Sequence, residues 1–208
     1  MNLVSLLISF ATSFCLLILA MSVHEFAHGW TAYKLGDTTA KYSGRLTLNP
    51  LAHIDIFWTL ILPLVLFISS GGRFIFGAAK PVPVNFWALR NPKRDMVLVG
   101  LSGPAANFIF AGILSLMINL IPINLLVASI LSNLIVITIV LGVFTLIPIT
   151  PLDGSRVLMG ILPEPLASHY ASIERYAFIF LVIFVYFGGF NLIVWPIVSV
   201  ILRILRVY

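Results

Sequence analysis

The chain has 208 residues, of which 61% are hydrophobic and only 9% are charged, with a mean hydropathy of +1.12. Soluble domains carry roughly a quarter charged residues, so this composition excludes a water-soluble globular protein and predicts an integral membrane protein. The net charge of +5 comes from basic residues that flank the apolar segments, which indicates membrane topology rather than nucleic-acid binding. The length fits a single domain, residues 1–208.

The first apolar segment covers about residues 3–23 and contains no charged residue. It lacks the basic start of a signal peptide and runs directly into polar residues of chemical interest, so we expect a retained membrane helix. Cys15, the single cysteine, lies within this segment, which leaves no disulfide framework and no paired-cysteine metal site.

A HExxH motif follows, with His24, Glu25 and His28 at its three defining positions. On a helix the two histidines lie about 40° apart on one face, so both imidazoles can reach a single metal ion. Glu25 lies beside them and can act as a base without binding the metal. Ionisable groups are costly in a membrane helix, which favours a functional site over polar residues that only cap the span.

Residues 54–70 form a shorter apolar segment with Asp55 at its edge and Pro63 inside. A helix that crosses a bilayer needs about 20 mostly apolar residues, so this segment could be either a partial or a full span.

Two prolines, Pro81 and Pro83, mark residues 73–85 and would disable one edge of an extended strand there. Val82 and Val84 would keep their backbone donors toward the other edge, and we expect that edge to pair with unwound substrate by strand addition. The alternative is a proline-punctuated loop.

Residues 96–152 contain no charge and are long enough for two spans, about 96–120 and 124–147. Asn107 lies in the first of them. If its helix face points at the metal site, it is the best side-chain donor for a reaction oxyanion or for the substrate backbone. The alternative is a hydrogen bond between helices, helped by small neighbours such as Gly103.

A third metal ligand is needed beside the two histidines, because catalytic zinc usually has three protein ligands and one open position. Asp153 stands out, since it ends a run in which three prolines break the helix and precedes Gly154. The alternative for Asp153 is an N-cap of the next helix. The other acidic and histidine candidates are His53, Asp55, Asp95, Glu164, His169 and Glu174.

The last apolar segment, about residues 176–202, could be one long span or a hairpin broken at Gly188 and Gly189. We expect His53 to be a loop histidine or a neighbour of the metal ligands, and His169 to lie on the surface of an amphipathic helix. Arg156 could orient Asp153 or act as an interfacial anchor.

The HExxH motif and the downstream proline-rich run that ends at Asp153 and Gly154 together resemble the site-2 proteases, which are intramembrane zinc metallopeptidases. The blocks at residues 44–50, 79–85 and 102–107 resemble the compact bacterial and archaeal branch without PDZ or CBS domains. The resemblance implies that His24, His28 and Asp153 bind one Zn²⁺ per chain and that Glu25 is the catalytic base. Thr145 stands where the family often has a substrate-clamping asparagine, and threonine cannot offer a carboxamide's paired donors.

Joint binding of one zinc by His24 and Asp153 would require an even number of membrane crossings between them. The fold expected is therefore an all-α bundle of about five to six transmembrane helices, with residues 54–70 re-entrant, partial or paired with a return through 71–80, and with a short membrane-associated strand or hairpin. This topology gathers the basic residues on one side, which the positive-inside rule makes cytosolic. They are Lys34, Lys41, Arg45, Arg73, Lys80, Arg90, Lys93, Arg94 and Arg156.

These features predict an intramembrane zinc endopeptidase in a bacterial or archaeal cell membrane, with its active site toward the cytosol. Its partners would be the lipid bilayer and transmembrane protein or peptide substrates. One alternative is a metal-ion transporter, although residues 108–146 contain no charged residue that could bind an ion on its way across the membrane. The other is a non-catalytic zinc-binding scaffold, which would not need Glu25 beside the metal.

Overall fold

The computed structural model describes residues 3–69 and 80–207, and the regular structure in those two ranges is helical throughout. Its α-helices are α1 (Leu3–Lys34), α2 (Thr39–Tyr42), α3 (Leu62–Ser69), α4 (Pro92–Leu120), α5 (Leu125–Thr145), α6 (Asp153–Ile161), α7 (Leu166–Ser172), α8 (Ala177–Tyr186) and α9 (Trp195–Ile204). Shorter helical turns are the 3₁₀ segments Pro50–His53, Phe86–Ala88 and Ile173–Tyr176 and the π-helical segments Ile56–Ile61 and Phe190–Val194.

Four helical stretches in the described ranges are long and apolar enough to cross a membrane: Leu7–Lys34, Pro92–Leu120, Leu125–Thr145 and Leu166–Tyr186. Many of their large apolar side chains face outward, including Ile109, Leu120 and Phe178. Exposed apolar surface on this scale marks a lipid or protein contact surface. The expectation of an all-α protein with membrane-spanning helices is thus met in the described ranges, where four candidate spans compare with the five to six predicted from the sequence.

Helix α1 extends eleven residues beyond the end of the predicted apolar segment at residue 23. The HExxH motif consequently lies inside the helix and not at its end. The prediction stopped where the polar residues start, but the helix continues because Ala32 is fully buried and packs with Leu89 and Val99. The intact helical backbone through residues 24–28 fixes the relative directions of the two histidines.

Helix α4 is the centre of the bundle, since it packs against α1, α5 and α6. A core of buried side chains joins α1, α4 and α5 to α9, and its fully buried members include Ala20, Ala111, Ile135, Ile139 and Val198. The small residues Ala20 and Ala111 let α1 and α4 approach each other closely, as is usual between membrane helices.

The end of α1 meets the start of α4, because the backbone N–H of Arg90 donates to the carbonyl of Leu35 at 3.0 Å. The chain therefore returns to the same end of this helix pair after residues 36–89. Between them, residues 56–69 form a short π-helical turn followed by α3, and neither reaches the length of a span. The proposed return through residues 71–80 lies almost wholly outside the described residues.

Residues 80–85 form neither helix nor strand, and Asn85 at their end has an extended backbone, so the β-strand predicted within residues 73–85 is not confirmed for its described part. The reason is that Pro81 and Pro83 have no backbone N–H, and the N–H of Val82 bonds to a side chain instead of a neighbouring strand. Residues 73–79 of that prediction are outside the described ranges. We call residues 80–85 the extended segment below.

The last apolar segment is interrupted, as its two glycines suggested. Helix α8 ends at Tyr186, Gly188 adopts a positive φ of 77°, and the chain resumes as a π-helical turn that leads into α9. A left-handed glycine is a common helix terminator because it carries no Cβ. Residues 176–202 are therefore two helices and not one continuous span.

Candidate metal centre

Three side chains from two distant parts of the chain converge at one point. Nε2 of His24 lies 2.9 Å from Oδ2 of Asp153, Nε2 of His28 lies 3.2 Å from Oδ1 of Asp153, and the two Nε2 atoms are 3.0 Å apart. Both histidines are buried, and Asp153 is partly buried. Among the described residues, this is the group of histidine and carboxylate side chains that could hold a metal ion.

The donor set and its spacing fit zinc. Two imidazole nitrogens and one carboxylate oxygen are ligands that zinc uses in catalytic sites, with an open fourth position. At bond lengths of about 2.0–2.1 Å, tetrahedral ligand atoms lie about 3.3 Å apart. The measured separations are 2.9, 3.0 and 3.2 Å, and the two imidazoles face different oxygens of Asp153. With one ligand atom from each residue, the three atoms lie within 4.8 Å of one another, so an adjustment of the side chains would admit the ion.

Asp153 is the first residue of α6, and its carboxylate makes no capping bond to that helix. The N-cap alternative is therefore wrong, because the carboxylate turns to the histidines instead. Burial raises the pKa of this carboxyl, but the hydrogen bonds and charges of His24 and His28 outweigh that effect and hold its pKa well below the ordinary value.

Gly154 fixes the close approach of α6 to the end of α5. A Cβ at Gly154 would lie 2.1 Å from the carbonyl oxygen of Leu146, a separation that no side chain tolerates. The proline-rich turn after α5 and this glycine together bring Asp153 back toward α1.

One face of α4 lines the site, with Val99, Gly103 and Asn107 following one another at intervals of four residues. A Cβ at Gly103 would lie 2.4 Å from Nε2 of His28 and 2.7 Å from Nε2 of His24. The absent side chain of Gly103 therefore provides space for the two imidazoles and for an ion that they could hold.

The second ring nitrogen of each histidine meets a group on that same face. Nδ1 of His28 lies 2.7 Å from the carbonyl oxygen of Val99. Nδ1 of His24 lies 3.1 Å from the carboxamide of Asn107, whose side chain is completely buried. Such partners orient metal-binding histidines and select their tautomer.

Glu25, the predicted base, is held by the extended segment. Its Oε2 accepts a hydrogen bond of 2.7 Å from the backbone N–H of Val82. Val82 is buried, and its side chain packs against Gly29, the residue one turn after Glu25 on α1. The extended segment thus lies across α1 beside the metal centre.

Polar contacts hold the extended segment in place. The N–H of Lys80 donates to the carbonyl of His53 at 2.9 Å, and the guanidinium of Arg45 donates to the carbonyl of Lys80. Further along, the N–H of Asn85 donates to the carboxylate of Asp37 at 2.7 Å, and Asp37 is completely buried.

The remaining predicted residues fall outside the metal centre. The hydroxyl of Thr145 faces the carbonyl of Gly142 in its own helix at 3.4 Å, and Val84 is half-buried beside Ala32, Leu89 and Val99. Their predicted roles toward substrate stay predictions. His53 is a buried loop histidine whose Nε2 lies 2.9 Å from the carbonyl of Thr47.

His169 and Arg156 lie away from the ligands. His169 is exposed, as expected. Arg156 forms a bidentate ion pair with Glu174, at 2.6 and 3.3 Å, and stacks over Phe86. Its partner is therefore Glu174 and not Asp153, so the idea that Arg156 orients Asp153 is not supported by these contacts.

Sequence reasoning missed the contributions of Val99, Gly103, Asp37 and Arg45. The spacing of Val99, Gly103 and Asn107 would have placed them on one helical face, and that signal was present in the sequence. No comparable local pattern connects Asp37 and Arg45 with residues 80–85, because these contacts join segments that are far apart in the chain.

Comparison with curated proteins finds several relatives. A Bacillus subtilis protein named as a candidate zinc metalloprotease, YwhC, is 37% identical over 193 residues, which cover 88% of this chain and 84% of the relative. Rip2 of Mycobacterium tuberculosis, named in the same way, is 32% identical over 80% of this chain and 63% of its own length. The zinc metalloprotease MJ0392 of Methanocaldococcus jannaschii is 27% identical over 76% of this chain and 36% of its own length.

No protein-family model matches the chain. No solved structure matches it either.

Proposed function

Because this chain belongs to the site-2 protease family of zinc metalloproteases, we propose that it is an intramembrane zinc endopeptidase that hydrolyses peptide bonds of membrane-spanning substrates. The observation that carries the proposal is the convergence of His24, His28 and Asp153, with Glu25 next to His24 in the same helix. The long apolar helices that surround this group support a site at membrane depth.

The proposed roles follow from the chemistry of the side chains. His24, His28 and Asp153 would hold the zinc, and Gly103 would leave space for it. When bound, zinc supplies Lewis acidity toward the scissile carbonyl and activates a water molecule for attack. Glu25 would accept a proton from the attacking water and deliver it to the leaving nitrogen.

The hydrogen bond from Val82 is suited to hold Glu25 for that task. A carboxylate that accepts one backbone N–H keeps its other oxygen available, and its orientation no longer depends on the rotamers of a mobile side chain. Positioning of this kind raises the reaction rate, since even a small displacement of a catalytic group lowers that rate substantially.

The membrane orientation is also a proposal. The end of α1 and the start of α4 lie together, and the basic residues 34, 41, 45, 80, 90, 93 and 94 belong to this end of the helix pair or to the segment that connects it. An excess of lysine and arginine favours the cytosolic side. The metal centre, less than three turns from the end of α1, would then open toward the cytosol.

A helical substrate must unwind before cleavage, because its peptide bonds are protected by internal hydrogen bonds. The extended segment is the described non-helical backbone next to Glu25, so we propose that it receives the unwound substrate. Crosslinking from an analogue at position 84 to substrate would support this role, and a scan of residues 80–85 that captures no substrate would reject it.

The function is tested by cleavage of single-span proteins in liposomes, with wild type and Glu25→Gln compared side by side. We expect wild type to release fragments cut within the span, and Glu25→Gln to lose cleavage by at least about 100-fold while it retains zinc. Mass spectrometry of the fragments locates the cut. Equal cleavage by both proteins would reject the role of Glu25, and zinc binding without cleavage by wild type would favour a scaffold.

A further inference from the structure

We propose that Asn107 is a positioning residue that accepts a hydrogen bond from Nδ1–H of His24 and thereby fixes the zinc-binding tautomer of that imidazole. This inference rests on the proposed zinc site and replaces the role of oxyanion donor predicted for Asn107 from the sequence.

The orientation of His24 decides which of its nitrogens is available to Asn107. Nε2 faces the other ligands, 2.9 Å from Asp153 and 3.0 Å from His28. Nδ1 lies on the opposite edge of the ring, 3.1 Å from the Asn107 carboxamide. A neutral histidine that gives its Nε2 lone pair to a metal carries its proton on Nδ1, so Nδ1 must be a donor when the site is loaded.

The carboxamide of Asn107 has one orientation that suits this donor. With Nδ2 toward His24, two donors would face each other, and Oδ1 of Asn107 has no hydrogen-bond partner although it is buried. A rotation of the carboxamide by 180° exchanges the two atoms. Oδ1 then accepts from Nδ1–H of His24, which gives the ring donor an acceptor, and Nδ2 takes the place that Oδ1 has in the structure.

His28 provides an internal precedent on the same helix face. Its Nδ1 lies 2.7 Å from the carbonyl oxygen of Val99, which can only accept a hydrogen bond. Val99 and Asn107 lie two turns apart on α4, and the histidines that they meet, His28 and His24, lie one turn apart on α1. Each zinc-binding histidine therefore meets one oxygen acceptor of α4 in the proposed arrangement.

The position of Asn107 is fixed by the close packing of α5 against α4. A Cβ at Gly142 of α5 would lie 3.3 Å from Cβ of Asn107 and 3.0 Å from the ring of Phe108. Gly142 thus lets α5 pack closely against this part of α4, and Asn107 has no exposed surface. A side chain enclosed in this way holds its partner in a fixed direction, as the outer neighbours of metal ligands do.

The decisive experiment compares Asn107→Leu with Asn107→Asp in detergent-purified protein, with zinc affinity measured by competition with a chromophoric chelator. Leucine has a similar size but no acceptor, so we expect zinc affinity to fall about 10–100-fold. Aspartate can accept but not donate, so we expect it to retain zinc affinity better than the leucine variant does. The matched control is Asn119→Leu on the same helix, whose carboxamide bonds to Ser115 and Leu205 and should leave zinc affinity unchanged.

The outcomes separate this inference from the proposed function. If wild type binds zinc and Asn107→Leu binds it equally well, the inference fails while the metal site stands. If Asn107→Asp loses zinc affinity as strongly as Asn107→Leu does, an acceptor at this position does not hold His24 and the inference is again overturned. If wild type itself binds no zinc, the proposed function fails. Should the leucine variant not fold, loss of zinc affinity in the folded Asp variant would overturn the inference by itself.

Discussion

The metal side of the site, formed by His24, His28 and Asp153, is built from helices, whereas the base side, at Glu25, is completed by the extended segment. On the metal side, α1 and α6 supply the three side chains that could hold a metal ion, and α4 supplies the space and the outer hydrogen bonds. On the base side, the carboxylate is held by one backbone N–H of a segment that carries two prolines.

The difference shows how two demands of a peptidase are met. A metal ion needs several ligands at fixed separations, and packed helices provide them because their side-chain directions follow from the helical repeat. A base next to a substrate-binding site needs an open approach, and extended backbone can lie there without covering it. We therefore expect changes on the metal side to remove zinc and changes on the base side to slow the reaction with zinc still bound.

The largest effect is expected for Gly103→Ala, which acts on the metal side. The added Cβ would lie 2.4 Å from Nε2 of His28, and the neighbouring atoms belong to the ligands themselves. We expect loss of stoichiometric zinc and a fall in cleavage rate of at least about 100-fold, because the ligands are displaced by about an ångström. Elemental analysis and the liposome assay measure the two quantities.

A matched control for this substitution is Gly112→Ala on the same helix, where a Cβ would meet no atom within 4 Å. This variant should keep both zinc and activity. Wild-type zinc content in Gly103→Ala would contradict the assignment of α4 as the wall of the metal site.

A smaller effect is expected for Val82→Pro, which acts on the base side. Proline removes the N–H that donates to Glu25 and is compatible with an extended backbone between Pro81 and Pro83. One lost hydrogen bond to a carboxylate corresponds to roughly a tenfold or greater loss of rate, and zinc content should not change. Steady-state kinetics together with metal analysis distinguishes the two.

Val82→Ala serves as the control, because it keeps the N–H while it shortens the buried side chain. It should cleave substrate faster than Val82→Pro. If the proline variant lost its zinc, or if both variants had the same rate, the separation between the two sides of the site would not hold.

The smallest effect is expected for Glu174→Gln, which touches neither side. The ion pair of Glu174 with Arg156 is partly exposed, and such pairs contribute at most about 1 kcal/mol. We expect unchanged zinc content and a change in activity of no more than a few-fold. A clear loss of zinc would show that Arg156 does orient Asp153, which was one of the two roles considered for it from the sequence.

The metal side could largely be predicted from the sequence, because His24 and His28 are set by helical spacing and Asp153 by a resemblance in its proline-rich surroundings. The membrane character followed from composition alone. The base side could not be predicted in the same way. A strand was expected within residues 73–85, but the geometry of residues 80–85 depends on Arg45, Asp37 and His53, which contact them across long stretches of chain.

The role of Asn107 could be predicted only in part from the sequence. Its residue type suggested a hydrogen-bonding role, and its position in α4 could be read from the sequence. Which partner it meets depends on how α1 and α4 pack, and that packing is set by many apolar contacts together, not by a motif. The choice between a substrate donor and a partner of His24 therefore needed the structure.

The central claim is that one zinc ion is held jointly by α1 and α6, and its most direct test is the zinc content of purified wild type beside the single variants His24→Ala, His28→Ala and Asp153→Ala. The account predicts close to one zinc per chain in wild type and a large loss in each variant, including Asp153→Ala, whose change lies far from the HExxH motif in sequence. Absence of zinc from wild type, or full zinc occupancy in Asp153→Ala, would contradict it.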